Sequence, residues 1–328
     1  MSQTLPTNAD IVSAAGRLKG HAVRTPLLCN DILDGLTGAQ VFIKPECLQK
    51  TGSFKFRGAY NAISSLSEAE RKAGVVACSS GNHAQGVAEA ARLLGVSATI
   101  VMPLDAPAIK KARTERSGAT VVGYDRASED RDAIAAEICG RTGAAFIHPY
   151  NDARVIAGQG TCGMEIAEDL SAAGIACDRV LVCTGGGGLT AGVALAIHER
   201  FPGARIHAVE PQGFDDYRRS LEAGELLSNE NLSGSACDAL LSPSPGAIGF
   251  AINRDHLESA LVVSDEEAFE AMRFAFNELK LVLEPGGAVT LAALLSAGKR
   301  FAGESIAIVL SGGNVDPGTF ARIVSPES

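Results

Sequence analysis

Short runs of apolar and β-branched residues alternate along the chain with Ala-rich stretches whose apolar positions recur at helical spacing. The strand-like runs cover residues 75–78, 98–102, 119–123, 144–147, 180–183, 205–209, 261–263 and 306–310. Such alternation favours parallel sheets covered by helices. The pattern predicts an α/β protein of two domains, each built on an open, mostly parallel sheet. We place the small domain at residues 66–151 and the large domain at residues 1–65 and 152–328.

The composition is typical of an enzyme with a small-molecule substrate. The 328 residues, 46% of them hydrophobic, are enough for two packed domains. A net charge of -9 would repel nucleic acid and anionic membranes. No apolar run reaches the roughly 18 residues of a membrane span, and the first residues do not resemble a secretion signal, so we expect a cytoplasmic protein. The eight cysteines stand singly, and we expect buried thiols.

Three polar loops follow strand-like runs and are the places to search for a ligand site. They are SSGNHAQG after Cys78, TGGGGLTAG after Cys183 and SGGN after Leu310. In open parallel sheets, ligands bind beyond the carboxyl ends of the strands, where such loops present backbone N–H groups. We therefore expect the functional site at these loops.

The second loop contains the consecutive glycines Gly185, Gly186, Gly187 and Gly188. Residues without a Cβ let the backbone wrap an anion while the next helix supplies oriented N–H donors, which predicts a phosphate site. Two alternatives stay open on these residues. With Ala191 the loop also satisfies the loose dinucleotide pattern G-x-G-x-x-A, and Glu210 stands near the position of a ribose-binding acid. The glycines could also serve only the packing of helix on strand.

The first loop gathers four polar side chains at a predicted helix start, namely Ser79, Ser80, Asn82 and His83. Ser and Asn are favoured there as helix caps. Four polar residues exceed the need of one cap and suit a site that binds a carboxylate. His83 taken alone would more often be a structural histidine than a catalytic one.

Lys55 lies between Phe54 and Phe56 in the segment KTGSFKFRGAYNAI. A lysine in such a run is normally a surface residue whose stem covers apolar neighbours. If Lys55 is held in a cleft instead, desolvation would lower its pKa and make it a candidate for Schiff-base formation. The periodicity of the segment does not decide between the two.

Five segments, KTGSFKFRGA, SSGNHAQG, VIAGQGT, TGGGGLTAG and SGGN, occur in this order between about Arg24 and Asn314. Together they closely resemble the fold type II pyridoxal-phosphate family of serine/threonine dehydratases and serine racemases, including 3-hydroxyaspartate dehydratases. The resemblance implies that Lys55 carries pyridoxal 5'-phosphate (PLP). It also implies Phe54 and Asn82 beside the cofactor ring, Gly185 to Gly188 on its phosphate, Glu284 in the pocket wall and Ser311 beside the pyridine nitrogen.

The same resemblance implies an ammonia-lyase that removes water from a small β-hydroxy amino acid, first of all L-threonine or L-serine. Ser311 offers the ring nitrogen only a neutral hydrogen bond, which weakens the electron sink and favours prompt loss of the β-hydroxyl. Lys55, once released, is placed to take the α-proton. Ser80 matches the racemase serine on the opposite face, so racemisation stays open, with capping or carboxylate binding as its alternative role.

A divalent cation is also implied. Glu210 and the following PQGFDDYRRS resemble the cation site of this family, with ligands from the Glu210 carboxylate, the Phe214 carbonyl and the Asp216 carboxylate. Oxygen ligands of this kind suit Mg²⁺ or Ca²⁺. This interpretation replaces the ribose-binding one for Glu210, and a solvated acidic helix start is the remaining alternative.

Substrate identity is open within the resemblance. The segment HPYND, with Tyr150 and Asn151, also resembles the 3-hydroxyaspartate dehydratases, and Arg131 is a speculative partner for a second carboxylate. The segment LEPGGAV departs from the family, because Gly286 and Gly287 stand where a Ser or Thr often follows the proline.

The resemblance further implies a homodimer. ATP binds some relatives near the positions of Lys50, Gln85 and Asn314, which makes ATP a candidate effector, with polar surface as the alternative. Outside this family, a nicotinamide-dependent oxidoreductase would use TGGGGLTA and Glu210, and a non-catalytic binding protein would bind the cofactor without turnover.

Overall fold

The computed structural model describes residues 4–106 and 108–325, and the strands in these residues form two parallel sheets. The larger sheet has the strand order β1-β9-β6-β7-β8 and the smaller sheet has the order β4-β3-β2-β5. The strands are β1 Gln40–Pro45, β2 Val75–Cys78, β3 Ala98–Pro103, β4 Thr120–Tyr124, β5 Ala145–Phe146, β6 Arg179–Cys183, β7 Arg205–Pro211, β8 Leu257–Val263 and β9 Ser305–Leu310.

Helices cover both sheets. They are α1 Asn8–Leu18, α2 Asp31–Thr37, α3 Lys55–Ser64, α4 Glu68–Ala73, α5 Asn82–Leu94, α6 Ala108–Arg116, α7 Arg131–Thr142, α8 Ala153–Ala172, α9 Gly188–Arg200, α10 Asp216–Ala223, α11 Ala247–His256, α12 Asp265–Phe274, α13 Pro285–Ala297 and α14 Pro317–Val324. Local chemistry fixes several helix starts. The carboxylate of Asp130 accepts the backbone N–H of Asp132 before α7, and that of Asp152 accepts the backbone N–H of Arg154 before α8.

The predicted fold class is confirmed, since helices cover two parallel sheets. The eight predicted strands correspond to β2 to β9, although β8 begins four residues earlier than predicted. The sequence pattern does not predict β1, because Lys44 interrupts its apolar run. Lys44 is nevertheless fully buried, and its Nζ atom donates to the Thr25 carbonyl and to the Glu165 carboxylate, each at 2.6 Å.

The smaller sheet is built from residues 75–146 and the larger one from residues 40–45 and 179–310. Each sheet has a hydrophobic core of its own. The domain boundaries at 65/66 and 151/152 stay predictions, and residues 1–3, 107 and 326–328 of the predicted domains lie outside the described residues. The segment between β5 and α8 leads from the smaller sheet to the larger one, so it is placed to border a cleft between them.

All eight cysteines are free thiols. Five are buried, but Cys29 is exposed, and Cys47 and Cys139 are half-buried, so the expectation of burial is wrong for these three. Cys29 lies in the connection between α1 and α2, at the short bridge that pairs Leu28 with Ile43 rather than inside a sheet. None of the helices within the described ranges is both long and apolar enough to cross a bilayer.

Candidate active site

Lys55 is the first residue of α3 and lies beside the connection between the two sheets. The backbone N–H of the preceding Phe54 donates to the carbonyl of Ser311 at 3.1 Å, which fixes the start of α3 against the loop after β9. The Nζ atom of Lys55 donates to the carbonyl of Pro149 at 2.8 Å, and burial lowers the pKa of this amine to about 8. The lysine is therefore held in the cleft and does not extend along the surface.

The glycine loop runs from the end of β6 into α9. The hydroxyls of Thr184 and Thr190 lie 2.7 Å apart, buried, and brace the loop at its base. The backbone N–H groups of residues 185–189 have no protein acceptor in the described part of the chain. Since they surround the N-terminus of a helix, they are available to an anion.

Two neighbouring tyrosines explain why this loop tolerates no side chain. A Cβ at Gly186 would overlap the ring of Tyr150, and a Cβ at Gly187 would overlap the hydroxyl of Tyr217. Gly187 also has a φ of +83°, in the left-handed region that favours glycine. Close packing thus accounts for part of the glycine pattern, while the free N–H groups account for the predicted anion site.

The first and third loops meet through a chain of amide and carboxylate side chains. The Nδ2 atom of Asn82 donates to the Glu284 carboxylate at 2.5 Å, and Asn314 donates to the Oδ1 atom of Asn82 at 2.7 Å. Burial raises the pKa of Glu284 to about 7. A Cβ at Gly287 would overlap the carbonyl of Gly312, so the glycine that departs from the family pattern is required by packing here.

The other polar residues of the first loop, Ser79, Ser80 and His83, have different surroundings. The Ser79 hydroxyl accepts the backbone N–H of Gly81 at 3.1 Å, which is a turn within the loop. The Nε2 atom of His83 lies 2.8 Å from the carbonyl of Ile147 and therefore carries the proton, and burial lowers the pKa of this ring to about 3. Its Nδ1 atom is buried and unpartnered. Ser80 is half-buried at the mouth of the same loop.

His148 is a further polar residue near Lys55 that the sequence motifs do not indicate, although its place directly before Pro149 in HPYND is an available signal. Its Nδ1 atom accepts the backbone N–H groups of Asn151 at 2.8 Å and Tyr150 at 3.2 Å, so Nε2 carries the proton in the neutral ring. Burial and then the charge of Lys55 lower the pKa of His148 to about 4. Arg131, at the start of α7, is exposed, and its carbonyl accepts the Cys78 thiol at 3.4 Å, so it lies beside the end of β2.

Glu210 is fully buried at the end of β7. Its two carboxylate oxygens accept the backbone N–H groups of Tyr217 at 2.8 Å and Arg218 at 2.9 Å. Burial, followed by the nearby charge of Asp216, raises the pKa of Glu210 to about 8. Both oxygens thus accept hydrogen bonds from the start of α10.

Asp216 begins α10 and faces the same region. One of its carboxylate oxygens accepts the Nδ2 amide of Asn229 at 2.7 Å, while the other is buried without a partner. Burial raises the pKa of Asp216 to about 6. No cluster of three or more His, Cys, Asp or Glu side chains able to hold a metal occurs in residues 4–106 and 108–325. The predicted set has two carboxylates, and Phe214 would contribute its backbone carbonyl.

The three residues predicted to bind ATP, Lys50, Gln85 and Asn314, have different surroundings. The Nδ2 atom of Asn314 donates to the Thr51 carbonyl at 2.7 Å. The Nε2 atom of Gln85 and the Thr51 hydroxyl are buried without partners, and the Nζ atom of Lys50 lies 5.5 Å from the centre of the Phe56 ring. Unpartnered buried polar atoms are uncommon in folded proteins, so Gln85 and Thr51 have unused hydrogen-bonding capacity.

A cleft amine with a lowered pKa, a loop of free N–H groups and a buried serine after β9 therefore meet at the carboxyl ends of parallel strands. These residues fit a phosphorylated aldehyde cofactor, because the amine can form a covalent bond with the aldehyde and the loop can bind the phosphate. This combination defines a lysine-dependent PLP enzyme.

Comparison with known proteins identifies the family. The family model described as "Pyridoxal-phosphate dependent enzyme" matches residues 18–312, and the chain belongs to this family. This membership confirms the resemblance noted from the five sequence segments. It also favours a PLP-phosphate site over a dinucleotide site at the glycine loop.

Relatives in this family carry several activities. The chain is 46% identical over 315 residues to an L-threo-3-hydroxyaspartate ammonia-lyase from Pseudomonas sp, covering 96% of this chain and 97% of that protein. A solved threonine deaminase from T.th. is 44% identical, with a TM-score of 0.89 and coverage of 95% of this chain and 99% of that one. Maize serine racemase is 36% identical, with a TM-score of 0.91 and 97% coverage of both chains.

Proposed function

We propose that this chain is a PLP-dependent ammonia-lyase that dehydrates 3-hydroxyaspartate. The carrying observation is that Arg131 begins α7 with its carbonyl 3.4 Å from the Cys78 thiol, so this basic residue lies beside the loop that begins at Ser79. A cation in this position suits a substrate with a second carboxylate. The relatives named L-threo-3-hydroxyaspartate ammonia-lyase, from Pseudomonas sp and Saccharomyces cerevisiae, support this substrate over L-threonine or L-serine.

The proposed roles around the cofactor follow from the donors available. PLP, when bound, withdraws electrons from the α-carbon of an amino acid joined to it. The N–H groups of residues 185–189 would hold the phosphate, and Ser311 would share a hydrogen bond with the pyridine nitrogen. Phe54, whose ring centre lies 5.0 Å from the Nζ atom of Lys55, would lie beside the cofactor ring. Asn82, fixed by its bond to Glu284, would contact the edge of the cofactor ring.

The substrate is oriented by the first loop and deprotonated by the lysine. Ser79, Ser80 and the N–H groups at the start of α5 bind the α-carboxylate, and the protonated Nε2 edge of His83 holds that loop against Ile147. Lys55 takes the α-proton, because a pKa of about 8 leaves a useful neutral fraction of its amine near neutral pH.

The distal carboxylate is bound by Arg131, with the Tyr150 phenol and the Nε2–H of His148 as further donors. Burial keeps His148 neutral, so it donates without adding a second full charge. Loss of the α-proton and of the β-hydroxyl as water gives an enamine, and water then replaces its amino group. The products are the 2-oxo diacid and ammonia, with one water released and one consumed.

Substitution of Arg131 tests the substrate assignment. Arg131→Met should lower kcat/KM for L-threo-3-hydroxyaspartate about 100-fold or more, since a charged hydrogen bond contributes about 3 kcal/mol, and should change the value for L-serine by less than about threefold. Arg126→Met is the matched control, because Arg126 is exposed five residues away and pairs with Asp105. Equal losses on both substrates would refute the role of Arg131.

A second candidate is dehydration of L-threonine or L-serine, with racemisation on the same site. It is favoured by the half-buried Ser80 at the loop mouth and by relatives named threonine ammonia-lyase and serine racemase. Assay of 2-oxo acid and of D-serine from each substrate separates the candidates. Ser80→Ala should abolish D-serine formation and leave 2-oxo acid formation measurable if Ser80 returns a proton to the α-carbon.

We further propose a divalent cation, Mg²⁺ or Ca²⁺, bound by Glu210, the Phe214 carbonyl and Asp216. The unpartnered oxygen of Asp216 supports this, and so do the pKa values of both carboxyls, which burial raises, since a cation would stabilise their buried negative charges. A shift of the melting temperature with Mg²⁺ that is absent in Asp216→Asn would test it.

Two proposals concern assembly and regulation. The family resemblance supports a homodimer, which light scattering of the purified protein would test. The unpartnered amide of Gln85, near Lys50 and Asn314, supports ATP as an effector. Binding of ATP to the wild type and its loss in Gln85→Leu would be the corresponding measurement.

A further inference from the structure

Tyr217 lies between the Glu210 and Asp216 carboxylates and the glycine loop, and it contacts both. Its backbone N–H donates to the Oε1 atom of Glu210 at 2.8 Å. Its side chain is fully buried, and the hydroxyl occupies the space in which a side chain at Gly187 would begin. One residue therefore joins the start of α10 to the loop that enters α9.

The side-chain amide of Asn253 links the hydroxyl of Tyr217 to the backbone of the glycine loop through hydrogen bonds. Its Nδ2 atom lies 3.1 Å from this hydroxyl and 3.2 Å from the carbonyl of Gly187. The same Gly187 carbonyl accepts the backbone N–H of Ala191 at 3.0 Å, so the first turn of α9 and Asn253 hold one peptide group. A displacement of the Tyr217 hydroxyl must therefore move this peptide or break the bond to Asn253.

Glu210 holds the backbone of Tyr217 in place. The carboxylate caps the start of α10 through the N–H groups of Tyr217 and Arg218, and the carboxylates of Asp216 and Asp215 lie nearby. A divalent cation bound to these carboxylates would fix the position of Glu210. Because the backbone N–H of Tyr217 donates to Glu210, a fixed position of Glu210 would be transmitted to the Tyr217 side chain, which packs against Gly187.

We propose that Tyr217 is a positioning residue that couples the two ligand sites: a divalent cation at the carboxylates and the cofactor phosphate at the glycine loop each raise the affinity for the other. The inference rests on the proposed cofactor and cation roles but not on the identity of the substrate. Such coupling is reciprocal, and in proteins it typically corresponds to a factor of about 5 to 150 in affinity.

Calorimetric titration of the apoprotein with PLP, in Mg²⁺ and in a chelator, measures the coupling. For the wild type, Mg²⁺ should lower the Kd about fivefold or more. In Tyr217→Phe the Kd in Mg²⁺ should rise, and the ratio of the two constants should fall below about twofold. Pyridoxal, which lacks the phosphate, should show no Mg²⁺ effect on the wild type. Tyr60→Phe, at a buried tyrosine that stacks on His21, is the matched control.

A merely structural role for Tyr217 predicts a different result. Tyr217→Phe would then weaken PLP binding by the same factor with and without Mg²⁺, and the wild-type ratio would be preserved. That outcome overturns the proposed coupling, and so does a wild type whose Kd for PLP is the same with and without Mg²⁺. A wild type that binds no PLP at all overturns the proposed cofactor as well, so the two failures are distinguishable.

Discussion

The Nζ atom of Lys55 donates a hydrogen bond to the carbonyl oxygen of Pro149, 2.8 Å away. Lys55 begins α3, whereas Pro149 lies in the connection that leads from the smaller sheet to α8. The amine thus lies at the junction of the two sheets, where both can contribute to a ligand site. A neutral amine retains an N–H to donate to this carbonyl, so the bond can hold the nitrogen in place before it reacts.

The lowered pKa of Lys55 predicts how cofactor loading depends on pH. Only the neutral amine attacks an aldehyde, and burial lowers the pKa to about 8. The rate constant for incorporation of PLP into the apoprotein should rise about tenfold per pH unit below pH 8 and level off above it. Stopped-flow absorbance measures this rate. An N-acetyl-lysine control, with an ordinary pKa of about 10.4, should continue to rise, and a protein that does likewise would contradict the prediction.

Gly187→Ala should abolish tight PLP binding, because the new Cβ overlaps the hydroxyl of Tyr217 and the residue has a φ of +83°. Gly118→Ala is the matched control. Gly118 has a φ of +81° but open space around it, so only the backbone strain of about 1 kcal/mol applies. Equilibrium dialysis with PLP and a melting curve would separate the two. Wild-type affinity in Gly187→Ala would show that the loop can move away from Tyr217.

Much of this site can be predicted from the order of strands and loops along the chain. Strand-like runs followed by polar loops place Asn82, Gly185 and Ser311 at the same ends of parallel strands, and the structure has all three there. The glycine run is predictable for the same reason, since wrapping an anion and packing against tyrosine rings both exclude a side chain.

The remaining contacts depend on tertiary packing that no local pattern encodes. Tyr217 is separated from Gly187 by about 30 residues, and its hydroxyl reaches the loop only because α10 packs beside the larger sheet. The sequence does not predict strand β1 for a related reason. Its Lys44 has the pattern of a surface residue until Glu165, 121 residues away along the chain, is placed against it.

Glu284 should make the apoprotein less stable as the pH rises. Burial raises the pKa of this carboxyl to about 7, so the folded chain binds more protons than the unfolded chain between about pH 4.5 and 7. The free energy of unfolding then falls with pH across that window. Relative to Glu284→Gln, the wild type should lose about 2 kcal/mol between pH 5.5 and 8 in urea titrations. A difference that is constant with pH would exclude a raised pKa.

Arg57 holds a buried ion cluster directly behind the lysine-bearing turn of α3. Its guanidinium bonds both oxygens of Glu46, at 2.7 and 2.8 Å, and both oxygens of Glu165, at 2.7 and 2.8 Å. Lys44 adds the second positive charge, so two acids face two bases. Burial alone would raise the pKa of Glu46, yet the charge of Arg57 holds it below its ordinary value. The negative charges of the cluster are therefore balanced by positive charges only while Arg57 is present.

Arg57→Met should lower the free energy of unfolding by about 3–5 kcal/mol at pH 7, because it leaves Glu46 buried without its partner. The exposed Arg126→Met control should cost less than about 1 kcal/mol. Glu46 in the wild type stabilises the fold above its ordinary pKa and loses this contribution as the pH falls through the lowered folded-state value. In the variant a proton neutralises Glu46 more readily, so the deficit should shrink towards pH 4. Urea titrations at both pH values measure it, and a deficit that grows on acidification would argue that Glu46 is not the charge that Arg57 balances.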